Sequence, residues 1–212
     1  MKDELLELMK SRRSVREFKP DAIPRDVVLQ LVEAASWAPS GSNQQPWRFV
    51  AVSNALVKAQ MAAAVHDAIK VLSLRMKSVR AREEFNAYSR YFTVFEHAPL
   101  AICVYSEAYQ PLVSRLLARY GEEDEDITST GSIQSCSAAV QNLLLMAHAM
   151  GLGACWMTGP VIAADAISDL LEVDPAWQLV CVLALGYPAK VPEPPPRPDP
   201  VTLVKFIQAV IP

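Results

Sequence analysis

The spacing of apolar residues along the chain predicts a series of helices interrupted by four short strands. Apolar positions three and four residues apart indicate helices after Asp3, from Pro24, after Asn54, over Ser132–Met150 and around Ile162–Leu171, and the charged stretch His66–Phe95 indicates one or two partly exposed helices. Short apolar runs bounded by Pro, Gly or polar residues indicate strands at Trp47–Val52, Leu100–Tyr105, Gly153–Thr158 and Trp177–Leu185. The helix over Ser132–Met150 is apolar around most of its circumference, which predicts burial inside the protein or against a partner.

The composition is that of a folded globular protein. Of the 212 residues, 51% are hydrophobic and the mean hydropathy is +0.15, enough to build a substantial core, and we expect a single domain over residues 1–212. The net charge of −3 argues against a broad nucleic-acid interface, which needs a clustered basic face. The N-terminus has no secretory pattern and no apolar run is long enough to span a bilayer, so a cytoplasmic location is expected.

The cysteines and histidines do not suggest a metal site. Cys103, Cys136, Cys155 and Cys181 all lie in apolar segments without Cys-x-x-Cys spacing, which is typical of reduced core thiols. The three histidines are widely separated and form no metal-binding motif. We therefore expect no bound metal.

The segment Ala38–Phe49 differs from its surroundings. Two prolines, Pro39 and Pro46, bracket a run of Ser, Gly, Asn and Gln between a predicted helix and a predicted strand. Such residues favour turns and offer hydrogen bonds outside regular secondary structure. The segment is either a polar connector or a binding loop on a rigid scaffold, and its composition alone does not distinguish the two.

A second unusual segment follows the first helix. Three arginines and two serines stand within Ser11–Arg16 in a chain that is acidic overall. They form either a solvated surface or an anion site, because guanidinium groups bind phosphate oxygens in pairs of charge-assisted hydrogen bonds.

The chain ends in a different kind of sequence. Seven prolines and Arg197 lie between Pro188 and Pro200, which indicates an extended segment, and the apolar stretch Val201–Ile211 that follows is expected to dock on another surface. The acidic run Gly121–Asp126 suggests a solvated loop, with a lid over a site as the alternative.

Motifs of several enzyme classes are missing. The sequence has no Gly-x-Gly-x-x-Gly, no P-loop and no Gly-x-Ser-x-Gly elbow, and no nucleophile–His pair is evident from the spacing. An arginine cluster and an amide-rich loop without catalytic side chains fit a protein that binds a phosphorylated cofactor and leaves the chemistry to it.

Four segments, in order along the chain, resemble the FMN-dependent nitroreductase family. They are Arg12–Phe18, Ala38–Trp47, Gly151–Gly159, and Leu185–Pro188 with the proline-rich segment that carries Arg197. The resemblance implies an α+β fold, in which helices flank a central, mostly antiparallel β-sheet, and an intertwined homodimer with FMN at the subunit interface. The extension 188–212 would embrace the partner subunit.

The resemblance also implies which residues contact FMN. Arg12, Arg13, Ser14 and Arg16 match positions that hold the phosphate and the ring edge, and Arg197 matches a phosphate ligand. Met157, Thr158 and Gly159 match the segment beside the reactive ring nitrogen. The positions around the flavin ring that the other subunit would supply are Pro39, Ser40, Gly41, Asn43 and Gln45. A monomer is not expected to hold FMN, and no side chain of the protein is expected to be catalytic.

The implied activity is a ping-pong transfer of a hydride from NADH or NADPH, through FMN, to an acceptor such as a nitroaromatic or a quinone. Alternatives are a flavin-destroying or dehalogenating branch of the family, a non-enzymatic flavin-binding protein, and a helical scaffold whose arginines are surface charge. Residues 66–131 match no motif, although in this family the region shapes the substrate pocket.

Overall fold

The structure, a computed structural model, describes residues 1–107, 117, 119–121 and 130–207. Within these residues the helices are α1 Lys2–Ser11, α2 Arg25–Ser36, α3 Ala55–Arg75, α4 Val79–Ser89, α5 Gly131–Ala149 and α6 Ala164–Leu170. The strands are β1 Glu17–Phe18, β2 Trp47–Val52, β3 Leu100–Glu107, β4 Gly153–Met157, β5 Trp177–Gly186 and β6 Pro188–Lys190. Short 3-10 turns cover Gly41–Asn43, Val94–His97, Gly159–Ala163 and Pro200–Leu203.

Four strands form the central sheet in the order β2-β3-β5-β4, and each neighbouring pair is antiparallel. A single parallel bridge joins Ser14 to Ala154 at the β4 edge, and β1 pairs with β6 in a separate two-stranded ribbon. This confirms the predicted mixture of helices with a mostly antiparallel sheet.

The sheet has a hydrophobic core on each face because side chains of a strand alternate between its two sides. On one face, Ile102 and Leu183 pack with α2 and α5. On the other face, Cys103 and Val182 pack with α3 and α6. The prediction that Ser132–Met150 is buried is confirmed for α5, in which Val140 and Leu143 are fully shielded from solvent, although Ile133 near its start is exposed.

Helix ends follow local hydrogen bonding. Asn54 caps α3 as predicted, since its Oδ1 accepts from the backbone N–H groups of Leu56 and Val57 at 2.9 and 3.3 Å. Gly151, with φ of +77°, follows α5 as expected for a helix stop. Asp3 was expected to cap α1, but the cap position is Met1 and Asp3 lies inside the first turn.

The predicted helical stretch His66–Phe95 is divided in the structure. The helix α3 ends at Arg75, and Ser78 starts α4 by accepting a hydrogen bond from the N–H of Ala81 at 3.3 Å. The Arg82 side chain links α4 to the end of α3 by donating a hydrogen bond to the carbonyl of Met76 at 2.9 Å. Of the acidic run Gly121–Asp126, residues 122–126 lie outside the described residues, so its role as loop or lid stays a prediction.

All four cysteines are free and buried, as expected for core thiols. Burial raises the pKa of Cys103 to about 12 and also raises the pKa of Cys136, Cys155 and Cys181. These thiols are therefore protonated at neutral pH and poor nucleophiles. No helix in the described part of the chain is both long and apolar enough to cross a membrane.

The burial of α5 predicts the effect of truncating its central leucine. Replacing the fully buried Leu143 by Ala should lower the free energy of unfolding by about 2–5 kcal/mol, because it removes apolar contacts and leaves a cavity. Urea denaturation of the purified protein measures the change. The control Gln141→Ala, at an exposed position of the same helix, should change it by less than about 0.5 kcal/mol. Equal losses in the two variants would contradict the burial of this helix face.

Candidate functional site

Arginines from both ends of the chain meet beside the C-terminal end of α1. Arg12, Arg13, Ser14 and Arg16 line a cavity of about 280 Å³ together with the extended segment that contains Glu193 and Arg197. The lining also includes Pro192 and Pro195. Five residues predicted to bind a phosphorylated cofactor are therefore close together in the fold, although 180 positions separate the two segments in sequence.

Backbone contacts with β4 hold this arginine segment in place. The Val15 N–H donates to the Ala154 carbonyl at 3.0 Å, and the Val15 side chain is buried. Gly153 makes the approach possible, since a Cβ at that position would lie 2.8 Å from the Val15 side chain. Arg13 also stabilises the end of α1, because its Nη1 donates to the carbonyls of Lys10 and Arg12.

Within the described residues, the arginines of this cavity form no ion pair, although Glu193 is part of the lining. Arg12 is half-buried, and its pKa is lowered by burial and then by the positive charges of Arg13 and Arg197. In the described residues, no carboxylate lies within 4 Å of a guanidinium nitrogen of Arg12, Arg13, Arg16 or Arg197. A half-buried cation beside like charges is stabilised by an anion, so the cavity is suited to a phosphate group.

A second cavity of about 240 Å³ lies on the other side of Arg12 and Arg13 and is bordered by His148, Pro188 and Val191. The Nε2 of His148 is 2.8 Å from the hydroxyl of Ser11. Burial, Arg12 and Arg13 lower the pKa of His148, which favours the neutral imidazole at neutral pH. No sequence motif connects His148 with the arginines, because only the packing of α1 against α5 brings them together.

The amide-rich segment forms a compact loop with an unusual backbone. Ser42, Asn43 and Gln45 have φ values of 52°, 52° and 49°, in the left-handed region that non-glycine residues rarely adopt. The Ser40 hydroxyl accepts from the Gln45 N–H at 3.0 Å, and the Gln45 Nε2 donates to the Asn43 Oδ1 at 3.3 Å. These bonds fix a strained loop, and such strain is concentrated at functional sites.

The loop also presents its polar groups to solvent. Pro39, Asn43 and Gln45 are exposed, whereas Ser40 and Gly41 are partly covered. Their contacts within the chain leave the outer surface of the loop open to another molecule.

The loop and the arginines lie at opposite edges of the central sheet. The loop leads into β2 at one edge, and the arginine segment contacts β4 at the other, so two strands separate them and the edge strands alone are about 14 Å apart. They also contact different parts of α5: the Pro46 carbonyl is 3.8 Å from the Cys136 Sγ, whereas Ser11 contacts His148. Twelve residues of helix amount to about 18 Å. One chain therefore does not bring the two predicted halves of the site together.

The segment Met157–Gly159 lies on the arginine side of the molecule, where β4 ends. Met157 is buried and Thr158 is exposed. Gly159 is covered by the ring of Phe92, because a Cβ on this glycine would lie 2.3 Å from the Phe92 Cδ1. The absence of a side chain at Gly159 thus serves the packing of an aromatic residue that the sequence motifs did not include.

Next to Phe92, Tyr91 contacts the arginine segment directly. The Arg16 Cζ lies 5.4 Å from the centre of the Tyr91 ring, and the Arg90 Cζ lies 4.8 Å from it. The end of α4 and the residues after it therefore belong to the surroundings of the site. No sequence signal marks them, since the contacts join segments that are far apart along the chain.

Two solved structures share this architecture over nearly the whole chain. A BluB-like flavoprotein from Clostridium difficile 630 superposes with a TM-score of 0.88 at 28% identity, covering 96% of this chain and 99% of that one. An iodotyrosine deiodinase bound to FMN and 3-iodo-L-tyrosine superposes with a TM-score of 0.74 at 26% identity, covering 97% and 100%.

Sequence relatives point to the same group of proteins. YfhC of Bacillus subtilis, whose name assigns it provisionally to the NAD(P)H nitroreductases, is 25% identical over 89% of this chain and 87% of its own length. The 5,6-dimethylbenzimidazole synthase of Rhodobacter capsulatus is 30% identical over 88% of this chain and 84% of its own length. The nitroreductase family model matches residues 9–187, and the chain belongs to the nitroreductase family.

Proposed function

We propose that this protein is an FMN-dependent oxidoreductase that transfers a hydride from NADH or NADPH to an acceptor such as a nitroaromatic compound or a quinone. The observation that carries the proposal is the half-buried Arg12, which faces Arg13 and Arg197 without a carboxylate partner in the described residues. A phosphate ester supplies the missing negative charge. The FMN of the deiodinase structure and the names of the nitroreductase relatives support this choice of cofactor and reductant.

The residues of the arginine cavity bind and orient the cofactor. Arg12, Arg13, Ser14 and Arg197 hold the phosphate, and Arg16 reaches the ring edge. Met157, Thr158 and Gly159 line the side of the ring where β4 ends. When bound, FMN supplies the redox chemistry, accepting a hydride from the nicotinamide and passing it to the acceptor, so the protein needs no nucleophile or metal of its own.

A second copy of the chain completes the site. The loop of Pro39, Ser40, Gly41, Asn43 and Gln45 lies at the β2 edge of the sheet, whereas the arginine segment of its own chain contacts β4, and these edge strands are about 14 Å apart. In a homodimer, the loop of one subunit contacts the FMN that is held by the arginines of the other. The left-handed backbone of the loop, already fixed by internal bonds, presents its amides without a further ordering cost.

Exposed apolar residues support the dimer. Leu5, Leu6 and Met9 on α1 are exposed, and so are Val201 and Phe206 in the C-terminal segment. An apolar groove of about 490 Å³ runs between α2 and the edge strand β2, lined by residues such as Val28, Leu29 and Phe49. We propose that the extension 188–212 of one subunit wraps around the other, although residues 208–212 lie outside the described residues.

The activity itself provides the primary test. Purified protein should be yellow, contain about one FMN per chain and oxidise NADH or NADPH when a nitroaromatic or a quinone is added, because the arginine cavity retains the phosphate of the cofactor. Absorbance at the flavin bands measures the FMN content, and the loss of absorbance at the reduced-nicotinamide band measures the oxidation of NADH or NADPH. A colourless protein that FMN does not reconstitute would refute the proposal, and bound FMN that NAD(P)H does not reduce would indicate a non-enzymatic flavoprotein.

Replacing Arg12 tests the anion site directly. Arg12→Ala should raise the dissociation constant of FMN about 10- to 100-fold, since a charge-assisted bond contributes roughly 1.5–3 kcal/mol. The double change Arg12→Ala with Arg13→Ala should leave the protein without cofactor. Quenching of FMN fluorescence on titration with apoprotein measures binding. The control pair Arg75→Ala with Arg80→Ala, at exposed positions on α3 and α4, should bind FMN normally; a similar loss in the control would indicate a general charge effect.

Mixed dimers test whether the loop acts on the partner's cofactor. One subunit carries Arg12→Ala with Arg13→Ala, and the other carries Ser40→Ala with Asn43→Ala, so each homodimer lacks an intact site. In the mixed dimer, the intact arginines of one subunit face the intact loop of the other, and about one FMN should bind per dimer. Differently tagged subunits allow the mixed dimer to be purified and its flavin content measured. If arginines and loop acted within one chain, both sites would be defective and no FMN would be recovered.

A second candidate function is supported by particular relatives. The 30% identity to a dimethylbenzimidazole synthase and the TM-score of 0.88 to a BluB-like flavoprotein favour a flavin-destroying branch. Chromatography of reduced FMN exposed to air with the protein would reveal dimethylbenzimidazole if this branch applies. The deiodinase likeness is tested in the same way with halogenated phenols and detection of released halide.

A further inference from the structure

We propose that Arg90, held in place by Tyr91 beside Arg16, binds the negatively charged group of an aromatic acceptor. The acceptors that this enzyme uses best would then be aromatic anions such as carboxylates. The inference rests on the proposed function and specifies its substrate class.

The geometry of three side chains carries this inference. The guanidinium carbons of Arg16 and Arg90 lie 5.4 and 4.8 Å from the centre of the Tyr91 ring, so they are within about 10 Å of each other. The Nη2 of Arg90 also donates to the Tyr91 hydroxyl at 2.9 Å. Tyr91 is 40% exposed, so the arrangement is open to solvent. Its ring thus contacts two guanidinium groups at a solvent-exposed position.

This pair lies next to the segment assigned to the reactive face of the flavin. Phe92, the neighbour of Tyr91, covers Gly159. Phe92 is fixed by edge-to-face contacts with Tyr88 and Phe85, at centroid distances of 5.6 and 6.4 Å. Tyr91 contacts the two arginines, and the adjacent Phe92 covers Gly159. The arginines are therefore linked to Gly159 through two consecutive aromatic residues.

The charges favour an anion in addition to FMN. Neither Arg16 nor Arg90 has a carboxylate within 4 Å in the part of the chain that the structure describes. The wider cluster contains Arg12, Arg13 and Arg197 as well, whereas Glu193 is the acidic residue in the cavity lining. A phosphate monoester contributes about −1.5 to −2 charges. A surplus of about two positive charges remains and attracts anionic substrates.

The position of the surplus favours the acceptor over the reductant. A carboxylate on an aromatic ring is one bond from the ring that stacks on the flavin. The phosphates of NADH and NADPH are separated from the nicotinamide by a ribose. We assign the carboxylate to Arg16 and Arg90 because both contact Tyr91, and the next residue, Phe92, covers Gly159.

Matched probes that differ only in charge test the inference. Benzoate and benzamide are titrated into the oxidised holoenzyme, and the change in the flavin absorbance spectrum gives their dissociation constants without turnover. The values of kcat/KM for 4-nitrobenzoate and 4-nitrobenzamide are then compared at low and high salt. We expect the carboxylates to be favoured about tenfold at low salt, with a smaller preference at high salt because ions screen exposed charges.

Variants assign the preference to Arg90. Arg90→Gln should weaken benzoate binding about fivefold more than benzamide binding, and Tyr91→Leu should have a similar effect because it removes the support of both guanidiniums. Tyr91→Phe, which keeps the ring, should retain most of the preference. Arg80→Gln, an exposed arginine of α4 that pairs with Glu84, is the control and should leave the preference unchanged.

Three results would overturn the inference. The first is equal binding of benzoate and benzamide by the unmodified enzyme. The second is an equal loss of affinity for both probes in Arg90→Gln. The third is that Arg90→Gln slows only the reduction of bound FMN by NADH. Each leaves the proposed function intact, since 4-nitrobenzamide is still reduced. A failure of the proposed function appears differently, as the absence of bound FMN or of reduction of either nitro compound, and it would remove the basis of the inference as well.

Discussion

A cluster of arginines without a carboxylate partner in the described residues is the constraint on which this site depends. Arg12 is half-buried at the end of α1, and the guanidinium groups of Arg13 and Arg197 lie close to it. Such an arrangement costs free energy in the free protein and returns it when a phosphate binds. Contacts elsewhere in the fold offset this free-energy cost. They are the Val15–Ala154 hydrogen bond, the close approach of Val15 to Gly153, and the capping of α1 by Arg13.

We propose a site made by two chains because of the position of the central helix. Helix α5 is buried against the sheet, with the arginine segment near its end and the polar loop near its start. Neither segment can approach the other without crossing the sheet or the helix, because both are fully packed. A symmetric pair of chains resolves this geometry, since the loop of each copy can face the arginines of the other.

Aromatic residues at the end of α4 and directly after it surround part of the candidate site. The arginine segment, the polar loop and the end of β4 all match the nitroreductase family, whereas Tyr88, Tyr91 and Phe92 lie in the region that matched no motif. Tyr91 contacts Arg16, Phe92 covers Gly159, and Tyr88 packs edge-to-face against Phe92. Relatives with different named activities share the fold, so differences among them are expected in such peripheral contacts and in the electrostatics that they set.

Much of the fold could be predicted from the sequence because it depends on local patterns. Alternating and helical spacings located β2 exactly and the other three sheet strands to within two residues at either end, Asn54 was identified as a cap, and Gly151 as a helix stop. The stretch His66–Phe95 was predicted as one or two helices, and the structure differs in the boundaries: α3 continues through His66 to Arg75, and hydrogen bonds of Ser78 and Arg82 mark the start of α4.

The sequence by itself also determined the chemistry of the candidate site: guanidiniums for a phosphate, a stiff amide loop, and no metal-binding or nucleophilic motif. Only the tertiary structure decided how these parts are arranged. It placed Arg197 beside Arg12, brought His148 to Ser11, covered Gly159 with Phe92, and put the polar loop across the sheet from the arginines. The physical reason is that residue type and spacing specify the local conformation and the kinds of group that a side chain can bind. Contacts between distant segments arise instead from how the two faces of the sheet are packed.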